Sequence, residues 1–578
     1  MYVVAIPNRS SPPAILLRES YREGGKVKNR TLSNLSGWSP ERIEAMRQVC
    51  KGNLPLSGAG EDSFEIIRSR PHGHVAAALG TLRRLGLESM IAAKRSRRRD
   101  LCVAMIVARI LDPRSKLSTA RGLDAETLES SLGEVLGLSS AHADELYEAM
   151  DWIVARQAKI EGALAKRHLS EGSLVLYDLT SAHFEGRHCS LARLGYPRDG
   201  RRGKLQIELG LLTDAEGRPV AVEVFEGNVA DPKTLGAQVD KVRSRFGIRR
   251  VVFVGDRGMI TEARIREELE GKEGLGWITA LRSPQIQALL ERGSLQLSLF
   301  DERDLAEIRD PQHPGERLVV CRNPLLAQER ARKREDLLAA TERELAKVAR
   351  ATQRTRSPLH DPQAISRRVG KVEGRFKMRK HFQIEIAQGR LRYERDREGI
   401  AQEAALDGIY VLRTSVAADT LGAEEVVRSY KKLSSVERAF RSLKTVDLKV
   451  RPIFHRKEDR VRAHVLLCML AYYVEWHLRG ALAPLLFDDD DRRAAEARRA
   501  SVVAPARRSL RAERKALTKK TDGGLAVHSF QSLLRDLATI TKNRIRPKHA
   551  GAIPFEMTTR PTMLQQRAFE LLAVPYRL

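Results

Sequence analysis

Cysteine is scarce in this sequence. Among 578 residues there are five, Cys50, Cys102, Cys189, Cys321 and Cys468, scattered and with no CxxC pair. An odd, dispersed set argues against both a disulfide framework and a zinc site, and suits a reducing cytoplasm. Long apolar runs are also missing. The most apolar stretch, Val465 to Tyr473, is too short to span a bilayer and lies between His464 and Glu475. It reads as a core helix, and no membrane association is expected. The opening MYVVAIP turns polar at Asn8, too soon for a signal peptide. No GxxxxGK(S/T) loop occurs, which argues against a P-loop nucleotide hydrolase. No internal repeat or long low-complexity segment stands out.

What is abundant is positive charge. Lys and Arg number 102 against 74 Asp and Glu, a formal net charge of +28 and a pI near 10.1. Such an excess favours a polyanionic partner, because neutralising phosphates releases condensed counterions. Charge alone leaves a ribosomal or chromatin-coating role open. With 42% hydrophobic and 30% charged residues the chain reads as folded, and its length calls for several domains.

Residues 1–60 are turn-rich, with Arg18, Arg22, Lys26, Lys28 and Arg30 around Gly24-Gly25, which reads as a basic hairpin or arm. Residues 61–170 show apolar spacing of three and four and predict a mainly helical domain, either DNA-binding or supportive. From 171 to 284 the period changes. Leu174–Tyr177, Ile207–Thr213, Pro219–Phe225, Val251–Val254 and Gly276–Leu281 read as strands. Asp231-Pro232 predicts a helix start, with Asp231 as the cap. Residues 285–405, holding a long charged helix, look like an insertion; a strand at 408–413 and a helix at 424–443 resume the core over 406–480. Residues 481–578 are expected to serve DNA binding or oligomerisation. The fold class is α/β: a mixed sheet with helices packed on it.

Two acids close apolar runs, Asp178 after Tyr177 and Asp256 after Gly255. In open sheets, functional groups collect past the carboxyl ends of strands. Two carboxylates brought together there repel unless a cation compensates, the reason such pairs bind magnesium. A third acid comes from helix geometry. Tyr430, Glu437 and Lys444 are seven apart and share one face, near Arg441, while Leu433, Val436, Phe440 and Leu443 form the apolar stripe beside it. Three such acids can hold two metal ions for an in-line phosphoryl displacement. Arg198, Arg201, Arg202 and Lys204 form a basic loop suited to DNA, and Trp277 reads as core. His183 reads as structural, and Glu185 as an acid without a partner.

The segments YDLTSAHFEG (177–186), GYPRDGRRGKLQ (195–206), GRPVAVEVFEGNVADPKTL (217–235) and VGDRGMIT (254–261), with Tyr430-x6-Glu437-x6-Lys444, carry a family likeness. The chain resembles the DDE transposases of bacterial insertion sequences, in the cut-and-paste group with a tyrosine–arginine–glutamate–lysine signature. The resemblance implies a ribonuclease H-like catalytic core with an inserted domain and a helical C-terminal region. It implies Asp178, Asp256 and Glu437 as catalytic and metal-holding residues, with Mg2+ or substituting Mn2+. It implies double-stranded DNA as partner, both terminal inverted repeats and target, and a homodimer or larger assembly in the bacterial nucleoid. Hairpin DNA ends rest on the resemblance alone. The signature arginine is Leu433 here, so Lys432, Arg438 or Arg441 would take its phosphate-binding role. The rivals are a structure-selective nuclease of the same fold and a catalytically silent, domesticated DNA-binding protein.

Overall fold

In the computed structural model, which describes every residue except 10, 53–63, 125, 127–128, 199, 202, 301–302 and 549–552, the N-terminal segment forms a small antiparallel sheet. Strand β1 (Tyr2–Ile6) pairs with β2 (Ala14–Glu23), and β2 turns back into β3 (Lys26–Asn34), so the basic segment is a hairpin. After β4 (Phe64–Pro71) come, among the described residues, seven helices, from Gly73–Arg84 to Gln157–His168. Their three-and-four spacing is a buried face: Val75, Leu79, Leu82, Leu101, Ile106, Leu146 and Ile153 are all buried.

The strands read from the sequence form the centre of one mixed sheet. With the short β6, which the sequence did not signal, the strands in chain order are β5 (Ser173–His183), β6 (Arg193–Leu194), β7 (Leu205–Thr213), β8 (Pro219–Glu226), β9 (Val251–Val254) and β10 (Leu275–Ala280). Then follow β11 (Leu305–Ile308), β12 (Arg317–Arg322), β13 (Phe382–Ala387), β14 (Arg390–Arg395) and β15 (Ile409–Thr414). The order across the sheet is β11-β12-β15-β10-β9-β5-β7-β6, with β8 also on β7. Pairs β5–β7 and β7–β8 are antiparallel, while β9 runs parallel to both β5 and β10. The architecture is therefore α/β with a mixed sheet.

Three sequence expectations change. Asp178 does not end its strand, because β5 continues to His183 by pairing with β7 after β9 has stopped. The segment expected as an insertion from 285 first supplies β11 and β12 to the sheet. Only from the helix Pro324–Thr352 to the helix Arg397–Ala405 does the chain build a separate core, around Leu338, Leu345, Ile365, Val369 and Phe382. The C-terminal region is not purely helical. It adds β16 (Thr541–Pro547) and β17 (Phe555–Thr558), and β16 pairs with β4 near the other end of the chain.

One helix joins these parts. Glu458–Leu482 is buried nearly all round, the pattern of a helix with neighbours on every side. It packs on β8 and on helices Gly73–Arg84, Arg97–Leu111, Ala143–Val154 and Met563–Leu572. Leu466, Leu470, Leu478 and Leu482 have no exposed surface, and burying each contributes about 1.5–3 kcal/mol. This is the apolar stretch around Val465. Among the described residues no helix is long and apolar enough to cross a membrane. All five cysteines are free thiols.

Candidate active site

The register of β5 and β9 sets two acids side by side. The strands run parallel, and Leu176 opposite Val254 is their last pair. Asp178 and Asp256 each follow two residues later, leaving the same edge of the sheet. Asp178 Oδ1 accepts from the Leu179 amide at 2.8 Å. Asp256 Oδ1 accepts from the amides of Gly258 (3.0 Å) and Met259 (2.8 Å), which closes the turn after β9. Burial and then the negative charge of Asp256 push Asp178 up to about 7, and the charge of Glu437 adds to the shift. The Arg198 charge opposes the shift without cancelling it.

Glu437 arrives on a helical run with two irregularities. The expected single helix is Ala423–Lys431, then Leu433–Arg441, then a π-helical turn over Ser442–Val446. Val436, Ala439, Phe440 and Leu443 are buried, the helix packs on β5, and Glu437 is exposed. The β7–β8 hairpin seats this helix. Gly217 in its turn has φ of 83°, and a Cβ there would lie 2.6 Å from Ser435 Oγ. Tyr430 is largely buried; burial, then the charge of Asp256, pushes its hydroxyl up to about 12, with Glu437 and Asp178 contributing. Tyr430 thus stands near all three acids.

Lys444 lies within the π turn, and its Nζ donates to Thr180 Oγ1 and to the Ser181 carbonyl, each at 2.7 Å. It ties the helix to β5 just past Asp178. Ser442 Oγ donates to Glu475 Oε2 at 2.9 Å and fastens the same turn to the long core helix. Arg438 and Arg441 are exposed and make no side-chain hydrogen bond or ion pair among the described residues.

The basic loop divides. The Arg198 guanidinium donates to the Leu179 carbonyl at 2.6 Å, pairs with Asp231 and approaches Glu208 at 3.9 Å. The Arg198 side chain is therefore held by the protein's own groups, while the residue remains exposed. Asp231 is not the helix cap; that position is Ala230. Arg201 is exposed and reaches His183 Nε2 at 3.2 Å. Lys204 is exposed, and Arg202 lies outside the described residues.

Sequence reasoning passed over Glu208. It sits on β7 opposite Ser181, and its Oε1 accepts from Gln206 Nε2 at 2.9 Å. Its Oε2 is buried without a hydrogen-bond partner among the described residues, and burial pushes the group up to about 7. The available signal was an acid interrupting the apolar run Ile207, Leu209, Leu211. Glu185 is not partnerless, since it accepts from the Ile453 amide at 3.0 Å and meets buried His183 at 3.2 Å.

Among the described residues no three His, Cys, Asp or Glu side chains stand close enough to hold a metal ion as they are. The donor chemistry nevertheless fits a hard divalent cation. Asp178, Asp256 and Glu437 offer carboxylate oxygens, and none of the three makes an ion pair within 4 Å among the described residues.

Residues 170–474, more than half of the chain, match the family model described as Transposase DDE domain. Residues 5–60 match the model described as IS1634 family transposase, N-terminal domain. No curated protein matches the chain. A solved structure described as the cryo-EM structure of piggyBac transposase synaptic complex with hairpin DNA is similar at 10% identity. That alignment covers 81% of this chain and 79% of that one, with a TM-score of 0.33, and carries no argument about this chain.

Proposed function

The chain belongs to the DDE transposases of insertion sequences, and from that premise we propose that it cuts and joins DNA with Asp178, Asp256 and Glu437 as its catalytic acids. The observation that carries the reading is the pairing register that makes Asp178 and Asp256 neighbours, with Asp178 raised by burial and then by the charges of Asp256 and Glu437. The order β8-β7-β5-β9-β10, three antiparallel strands and then two parallel ones, supports a ribonuclease H-like core. Tyr430, Glu437 and Lys444 read as the group signature, with exposed Arg438 or Arg441 supplying the cation that Leu433 cannot.

Asp178, Asp256 and Glu437 would hold two Mg2+ ions, or Mn2+, which when bound supply Lewis-acid activation of a water or 3′-hydroxyl and stabilise the leaving oxygen. The chain's own residues position the reaction. Lys444 and the π turn hold the Glu437 helix against β5, and Arg198 braces the Leu179 carbonyl next to Asp178. Arg201, Arg202, Lys204, Arg438, Arg441 and Tyr430 would meet phosphates at this edge. The substrate is the element's terminal inverted repeats, brought together by a homodimer or larger assembly on the nucleoid. One strand is hydrolysed, the freed 3′-hydroxyl attacks the opposite strand to leave a hairpin, and the end then joins target DNA.

The test is Asp178→Ala on a duplex carrying the element's ends. Cleavage should fall by roughly a thousandfold or more while end binding stays within a few fold. Chelation should silence the native chain and Mg2+ restore it. Cleavage by Asp178→Ala at the native rate removes the assignment.

A further inference from the structure

We propose that Tyr196 is a stacking platform for an unpaired nucleobase of the DNA strand at the active edge. The inference rests on the DNA-processing reading above and names a contact within it. Tyr196 is 84% exposed, and Leu194 beside it is 65% exposed. An aromatic side chain left in water gains nothing for the fold by being there. Its backbone, in contrast, is firmly held. The Tyr196 carbonyl accepts from Gln206 Nε2 at 3.1 Å, and Gln206 is itself buried and bonded to the Gly227 carbonyl at 2.9 Å. Two residues on, the Arg198 amide donates to Ser181 Oγ at 3.1 Å. On the other side Gly195 is pressed so close to the Gly227 carbonyl that a Cβ would lie 1.8 Å from its oxygen. The loop therefore presents the ring outward from a fixed base.

The location gives the ring its ligand. Ser181, which anchors this loop, lies three residues along β5 from Asp178, roughly 10 Å at strand spacing. That is about the span of one or two nucleotides. Arg193, Arg201 and Lys204, all exposed and within eight residues of Tyr196 along the chain, add positive charge, the complement of a phosphate backbone. An exposed aromatic on a held backbone in a basic segment suits single-stranded nucleic acid, because every base has a face that can stack. A base paired within a duplex offers no such face, so the contact selects a strand whose bases are freed near the cut.

The experiment uses the full chain at low salt with two labelled probes, an oligothymidylate of about 12 nucleotides and a blunt duplex of about 20 base pairs. Tyr196→Ala and Tyr196→Leu should weaken oligothymidylate binding about tenfold and leave duplex binding within about twofold. Tyr196→Phe and Tyr196→Trp should keep native binding, since they keep the aromatic face. Equal binding by the Ala variant and the native chain overturns the stacking role but leaves the transposase reading intact. So does a Leu variant that binds like the native chain, because apolar packing would then suffice. A native chain that binds neither probe overturns both readings.

Discussion

At the scale of single residues, the site is defined by a buried carboxyl beside like charges. Asp178 sits at about 7, far above its ordinary 3.8, through burial and the charge of Asp256. The folded chain thus holds this proton more tightly than the unfolded chain does. The stabilisation is complete below the ordinary value and is lost as pH rises toward 7. Without metal, Asp178→Asn should raise stability at about pH 8 by about 1 kcal/mol and leave it nearly unchanged at about pH 4. Thermal unfolding at both pH values reads this out. Glu208, also raised to about 7, titrates in the same sense in both proteins, so the difference between them isolates Asp178. Added Mg2+ should raise the native melting temperature and leave that of the variant where it was; equal gains in both would show that the ion binds elsewhere. Asp178 and Asp256 were singled out in the sequence because each follows an apolar run, whereas Glu208, inside such a run, was not. The pairing of Arg198 was not legible either, because a basic loop reads the same whether it faces solvent or a neighbouring carboxylate.

At the scale of elements, the π turn over Ser442–Val446 is where the Glu437 helix is fastened. Its Lys444 makes two hydrogen bonds to β5. Lys444→Ala should therefore slow cleavage by roughly ten- to a hundredfold while end affinity stays within about threefold, because placement of Glu437 suffers more than contact with DNA. A loss of affinity as large as the loss of rate would instead make Lys444 a phosphate contact. The helix itself could be read from its apolar stripe. The interruption at Lys432 and the π turn could not, since both depend on Ser442 meeting Glu475 and Lys444 meeting a strand far away in sequence.

At the scale of the whole molecule, the two ends of the chain close on each other. Strand β16 pairs with β4, and helices Phe530–Ala538 and Met563–Leu572 pack on Gly73–Arg84. Removing residues after Ala538 should strip β4 of its partner, lower the unfolding temperature by several degrees and open the 64–71 segment to protease. A truncated chain with the native melting temperature would show the two regions to be independent. By itself the sequence determined the alternation of strand and helix around the central sheet, the buried helix at Val465 and the positive charge. Each of these is written in local periodicity or composition. The tertiary structure alone decided the register that makes Asp178 and Asp256 neighbours, the partners of Arg198 and Lys444, the joining of β11 and β12 to the sheet, and the pairing of β16 with β4. Those are pairings between segments remote along the chain, and they are selected by the burial and hydrogen bonding of the whole fold, for which a local stretch of residues carries no signal.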